Sequence, residues 1–308
     1  MKKRLTIFLL LTTSIAFAQS DSLKRWKKGG ILAVNFSQAS YTNWAAGGQN
    51  SFAGTAMFSF FDNYKKDKTT WENNLDLAYG MLKNGNDVLR KSEDKIEFNS
   101  KYSHYAFLNN WYYAALLNFK TQFDLGYNFP DDSTIVSHFM APAFSIFALG
   151  LDYKTNDKSF SCFIAPLSGK VTIVNDQRLA DLGAFGVDSA RHDAAGVTIQ
   201  KGELVRYEFG GYIKMSFKKD IMKNVNFQTK LELFSNYLDN PQNIDVNWET
   251  LLTMKVNKFL STTLTTQLIY DHDIPVPVER EVNGVTTPGT GPRLQFKEVL
   301  AVGLIYKF

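Results

Sequence analysis

Trp111-Tyr112-Tyr113-Ala114-Ala115-Leu116-Leu117-Asn118-Phe119-Lys120-Thr121-Gln122-Phe123 holds two faces in one string. Every second residue from Trp111 is Trp, Tyr113, Ala115, Leu117, Phe119, Thr121 and Phe123, an apolar row with aromatics near both ends. The intervening row ends in Asn118, Lys120 and Gln122 and is wetter. A period of two places successive side chains on opposite faces of a strand. This stretch is long enough to cross a bilayer as a tilted strand with hydrocarbon on one side.

The alternation recurs along the chain. Trp71, Leu75, Leu77 and Tyr79 oppose Glu72, Asn74 and Asp76; Tyr207, Phe209, Ile213 and Met215 oppose Arg206, Glu208 and Lys214. Phe227, Leu231 and Leu233 oppose Lys230 and Glu232, and Val246, Trp248 and Leu252 oppose Glu249 and Lys255. Strands are expected near 30–38, 50–63, 69–83, 94–106, 111–124, 139–153, 159–174, 202–217, 224–237, 244–257, 259–271 and 294–308. Most exceed the five or six residues usual in soluble sheets. Pro142 and Pro166 interrupt the sixth and seventh, where a bulge or rim bend is expected. Short links, such as 64–68, 107–110 and 154–158, alternate with mostly longer ones, such as 84–93, 125–138, 175–201 and 272–293. Bacterial outer-membrane barrels alternate short periplasmic turns with longer outer loops and have an even strand count. The fold expected is an all-β, transmembrane, antiparallel up-and-down barrel of about twelve strands with both ends periplasmic.

Composition agrees. Met1-Lys2-Lys3-Arg4, the apolar run Leu5–Ile15 and Ala16-Phe17-Ala18 read as a cleaved signal peptide, residues 1–18, leaving a single barrel domain over 19–308. Removing it takes the formal charge from +4 to about +1, which gives no reason to expect a nucleic-acid partner. The lone Cys162 excludes an intramolecular disulfide and a cysteine metal cluster. Gln19, not Cys, stands directly after the cleavage site, which argues against a lipoprotein, and no later stretch reads as a membrane helix. The alternating Leu300, Val302, Leu304, Tyr306 and Phe308 resemble the C-terminal signature by which outer-membrane barrels reach their assembly machinery. That machinery and outer-membrane lipid are therefore expected partners.

Several stretches resemble a family of Bacteroidota envelope proteins catalogued as domain of unknown function 3078. They are Asn35–Ser40, Thr42–Gly48, Leu75–Gly80, Pro130–Ser133, Val174–Asp181 and Asn240–Trp248. The resemblance implies the outer membrane of a Gram-negative bacterium and implies no reaction or ligand.

Chemistry-bearing motifs are sparse. His104, His138, His192 and His272 form no metal-binding spacing, and no glycine-rich phosphate loop follows a strand, so no metal or cofactor is expected. His104 falls on the lipid-facing row beside Tyr102, at the interface. Asp271-His272-Asp273, with Asp131-Asp132 on another loop, is similar in residue type to the acidic and Asp–His pairs of omptin proteases. The competing reading is a solvated acidic rim, and the expectation is no enzyme.

The inward charges say more. Glu72 and Asp76 face Lys95, Glu97 and Lys101, while Lys120, Arg206, Glu208, Lys214, Lys230, Glu232, Glu249 and Lys255 complete a lumen lining of mixed sign. Such a row is either a ladder of cross-strand ion pairs filling the barrel or a hydrated path for small polar solutes. Twelve strands give a backbone diameter of roughly 24 Å, leaving on the order of 10 Å if no side chain crosses. The link 175–201 mixes Arg178 and Asp181 with Leu179, Ala180, Leu182, Ala184 and Phe185. It is expected to fold into the mouth as a plug; the alternative is a cap lying outside. Functionally, a passive channel for small hydrophilic solutes stands beside an accessory barrel of a larger envelope complex for secretion, import or barrel assembly. A rim hydrolase is the third reading.

Overall fold

The computed structural model describes residues 25–41, 49–274, 276–282 and 285–308. The expected signal peptide and the resembling stretch Thr42–Gly48 lie outside them.

Twelve antiparallel strands close into one barrel, each paired with its neighbours in sequence and the last with the first. They are β1 (Trp26–Ala39), β2 (Ser51–Lys66), β3 (Thr69–Asn84), β4 (Arg90–Tyr105), β5 (Trp111–Thr121) and β6 (Ala143–Lys154). The second half comprises β7 (Phe160–Ile173), β8 (Val205–Met222), β9 (Val225–Asn236), β10 (Ile244–Lys255), β11 (Leu260–Tyr270) and β12 (Gln295–Lys307). Closure satisfies the backbone groups that an open edge would leave bare, which hydrocarbon does not tolerate. The seam is tied at its end by Gly30 N–H to Phe308 O at 2.9 Å and Phe308 N–H to Gly30 O at 3.1 Å. A Cβ at position 30 would strike the Phe308 ring, so the glycine leaves room for the terminal aromatic.

The alternating rows take the expected sides. Phe36, Tyr113, Phe147, Leu167, Tyr207 and Leu300 point outward and are exposed, an apolar surface too extensive for a soluble monomer. Aromatics ring the short-turn end: Trp26 packs against Tyr64 and Trp71 at 5.1 and 6.1 Å between centroids, and Trp111 against Tyr153 at 5.3 Å. His104 lies among them, its Nδ1 3.0 Å from Thr69 Oγ1.

Several strands differ from the sequence expectation in extent, β1 and β4 beginning four residues earlier and β5 ending at Thr121, while the irregularity expected at Pro166 is present. β6 starts at Ala143, because the chain before it turns through Met140 at φ 61 and bridges His138 to Ala141. β7 carries a bulge at Ala165–Pro166, where its register with both β6 and β8 shifts. Gly150 permits it, since a Cβ there would overlap the Ile164 carbonyl. β8 runs on to Met222, through the polar Lys218, Lys219 and Asp220, so its turn to β9 is only Lys223 and Asn224.

The long connections carry structure of their own. Short ribbons pair 126–127 with 135–137, 191–192 with 198–200, and 276–282 with 285–291. The connection 174–204 also contains a one-turn helix α1 (Gln177–Asp181), capped by the Asp176 carboxylate accepting from Arg178 N–H and Leu179 N–H.

Candidate functional site

The interior divides into two unlike walls. On β4 to β9 the inward side chains are large and meet across the barrel. Lys230 on β9 reaches Glu97 on β4 at 3.4 Å, five strands away in a ring of twelve. Lys120 on β5 reaches Glu232 on β9 at 2.8 Å and Glu97 at 3.6 Å. Lys95 adds a third cation to Glu97 at 3.3 Å, Lys214 pairs with Glu232 at 3.0 Å, and Tyr212 O–H donates to Glu232 at 3.0 Å. The two carboxylates are thus nodes of a cross-lumen network. Such buried charges persist only because each is multiply paired. Beside the network, Leu116, Phe163, Ala165, Tyr212 and Phe234 form an apolar cluster inside the barrel.

Beyond β10, the arc of β11, β12 and β1 to β3 carries many small inward residues. By register its inward positions include Thr263, Ala301, Gly303, Ala33, Asn35, Thr55 and Ala78. The inward Ile31, Met57 and Val299 stay 37%, 39% and 42% exposed. Across the barrel, Asp152 is 0% exposed and Glu97, Phe163 and Tyr212 are each 1%. Space therefore lies along the small-residue arc, while the opposite wall is filled. Lys297 on β12 bars the arc near its loop end by pairing with Glu93 on β4 at 2.8 Å.

The lining residues named from sequence fall into separate clusters. Glu72, Lys101 and Lys154 gather with Asp152 toward the short-turn end, Lys101 at 2.7 Å and Lys154 at 3.5 Å from the Asp152 carboxylate. Lys154 also holds Glu72 at 3.0 Å. Asp76 stands opposite Glu97 in register and forms no ion pair among the described residues. Glu249 pairs with Lys230 at 3.4 Å, and Lys255 ends exposed at the turn-end rim. Toward the long loops, Lys170 sits among Glu208, Asp245 and Asp271 at 3.4, 2.7 and 3.4 Å. Arg206 pairs with Glu208 at 3.5 Å and Asp273 at 2.6 Å.

Arg206 also reaches the long connection, its guanidinium donating to Gly186 O at 2.9 Å. That bond sets segment 184–186 over an inward-facing residue of the barrel wall. Leu179, Ala180 and Val187 bury themselves against Ala141 and Val174, with Phe185 packed on the cluster. Arg178 donates to Ile135 O, and Asp181 accepts from Gln177 Nε2 and Gly202 N–H, both at 2.8 Å. The Asp176 carboxyl is desolvated, which alone would raise its pKa. Hydrogen bonds from Leu179 N–H, His138 and Arg178 N–H outweigh burial and hold it below the usual value.

The acidic rim motif is dispersed among other bonds. Asp271 and Asp273 are engaged by Lys170 and Arg206, and His272 Nδ1 lies 3.3 Å from Tyr270 O–H. Asp131 caps its own turn, its carboxyl lowered chiefly by the Ser133 and Thr134 side chains.

Asp152, Lys154, Lys170, Phe163 and Phe234 were not singled out by sequence. Asp152 is a lone carboxylate on a strand read as apolar, and its parity with Lys154 was the available signal.

A family model described as "Protein of unknown function (DUF3078)" matches residues 36–127. Of the resembling stretches, those from Pro130 onward lie outside that match. A search of curated proteins finds no match. Among solved structures, the chain is similar to an outer membrane channel from Pseudomonas putida F1, at 13% identity and TM-score 0.40, covering 95% of this chain and 100% of that one. It is also similar to the translocator domain of autotransporter NalP from Neisseria meningitidis, at 8% identity and TM-score 0.35, covering 92% and 88%. A third is Salmonella typhi OmpF in complex with daunomycin, at 9% identity and TM-score 0.25, covering 92% and 97%.

Proposed function

We propose that this chain is an outer-membrane barrel of a Gram-negative bacterium, in the Bacteroidota as the sequence resemblance implies, and that it acts as a narrow passive channel for small hydrophilic solutes. The observation that carries this reading is the exposure of inward Met57 and Val299 along an arc of small and hydroxyl-bearing residues. A barrel stuffed solely for rigidity would bury them as it buries Phe163 and Tyr212. The filled wall narrows the lumen from roughly 10 Å to an eccentric path, and the network of both signs favours polar or zwitterionic solutes over either ion.

The connection 174–204 serves as the plug, latched through Arg206 to Gly186. Outer-membrane lipid covers the outward apolar rows, and Phe308 presents the terminus to the assembly machinery. The role is not enzymatic: salt bridges to Lys170 and Arg206 support a structural use of Asp271 and Asp273.

Planar-bilayer recording of the purified chain tests this. The reading expects small discrete conductance steps that grow when residues 181–188 are deleted. Absence of steps from both proteins overturns the channel and favours the accessory-barrel reading, for which the cross-lumen ion pairs would be the supporting feature.

A further inference from the structure

The two ends of the barrel differ sharply in charge. The short turns with their flanking strand ends, the start of β1 and the end of β12 (25–28, 64–70, 105–111, 154–160, 218–225, 255–260 and 307–308) hold fourteen Lys or Arg against three Asp. The opposite connections (40–50, 85–89, 122–142, 174–204, 237–243 and 271–294) hold fourteen Asp or Glu against five Lys or Arg. The basic end contains a cavity of about 430 Å³, inside the wall formed by β2 to β7. That volume lies within the range of small-molecule sites.

Five ammonium groups line it, Lys65, Lys68, Lys101, Lys154 and Lys158, against the two carboxylates of Asp67 and Glu72. Lys101 and Lys154 form its floor, already paired with Asp152 and Glu72. Lys65 and Lys158 form no ion pair among the described residues and are exposed. Lys68 lies 5.7 Å from the centroid of the Tyr105 ring. Thr70, Asn110, Asn156 and Ser161 add hydroxyl and amide groups.

We infer that this vestibule is a binding site for a compact polyanion, a small molecule carrying two or three carboxylate or phosphate groups. The floor cations are neutralised from within, so the unpaired Lys65 and Lys158 at the lip supply the charge that a ligand completes. Lysine ammoniums are point charges without the planar fork of arginine, so carboxylate and phosphate are accepted alike. The basic rim raises the local concentration of any anion on that side. This site is independent of conduction, because binding to a blind vestibule needs no path beyond it.

Calorimetric titration of the purified full chain in non-ionic detergent at low salt tests the site, with citrate and pyrophosphate as separate probes. Binding of either supports the inference and tells which group is preferred. Lys65→Gln with Lys158→Gln is expected to weaken binding about tenfold, through loss of two charge-assisted contacts. Lys223→Gln with Lys258→Gln, in the exposed turns after β8 and β10 and outside the cavity lining, is expected to change it less than about twofold, as screened distant charges should. Each single variant at 65 and 158 substitutes if the pair fails to fold. Binding of neither probe, or equal weakening by both pairs, overturns the site.

Discussion

The wall from β4 to β9 and the arc from β11 through β1 to β3 are built from the same alternating pattern and do opposite things. Both turn apolar residues outward, and both put polar residues inward. On the first wall those inward residues are Lys, Glu, Phe and Tyr, long enough to meet across the lumen, as Lys230 and Glu97 do at 3.4 Å. On the second many are Gly, Ala, Ser and Thr, which stop short of the axis and leave the inward Met57 and Val299 wet. Strand count sets the diameter of a barrel, but inward side-chain length decides where, and whether, that diameter is open.

Removing a node of the filled wall should break this contrast most. Glu97→Gln leaves Lys95, Lys120 and Lys230 without their shared counter-charge, and is expected to cost about 3–5 kcal/mol in urea unfolding from lipid bilayers, as loss of one partner of a buried pair does. Asp76→Asn, one strand away and unpaired, is expected to cost less than about 1 kcal/mol. Equal costs would erase the distinction between the walls. Tyr212→Phe removes one buried donor to Glu232, for an expected about 1–3 kcal/mol by the same assay. On the arc the effect should move from stability to flow. Met57→Trp is expected to change unfolding by less than about 1 kcal/mol, since it enters empty space, while at least halving single-channel conductance. Unchanged conductance would relocate the path.

Much of this was legible in advance for a simple reason. A two-residue period over a dozen residues has only one strand reading, so all twelve strands and the inward assignment of Glu97, Lys230 and Glu232 follow from parity. Parity fails where both faces are polar, as at Lys218–Asp220, and β8 therefore extends past its expected end. It also gives only neighbours on adjacent strands. Lys120 and Glu232 are 112 residues apart in sequence and four strands apart around the ring, a pairing set by barrel closure. The helix α1 was hidden because one turn, capped by Asp176, is too short to show a helical period.

The smallest expected effect concerns the connection 174–204, which joins β7 to β8 at the mouth. The folded-state pKa of Asp176 is depressed, so its contribution is present above the ordinary carboxylate pKa and is lost as pH falls through the lower folded value. Limited proteolysis within 174–204 should therefore accelerate modestly on acidification through that range with an acid-active protease, and Asp176→Asn should flatten the response. A pH-independent rate in the native chain would detach the cap from the loop's order.

The contrast between the walls is tested most directly by cysteine accessibility in a Cys162→Ala background. A small charged thiol reagent added to the protein in liposomes should modify Met57→Cys rapidly and Leu116→Cys at least about a hundredfold more slowly, the slow site being reached only by local opening of the filled wall. Equal rates at the two positions, or protection at both, would contradict the account.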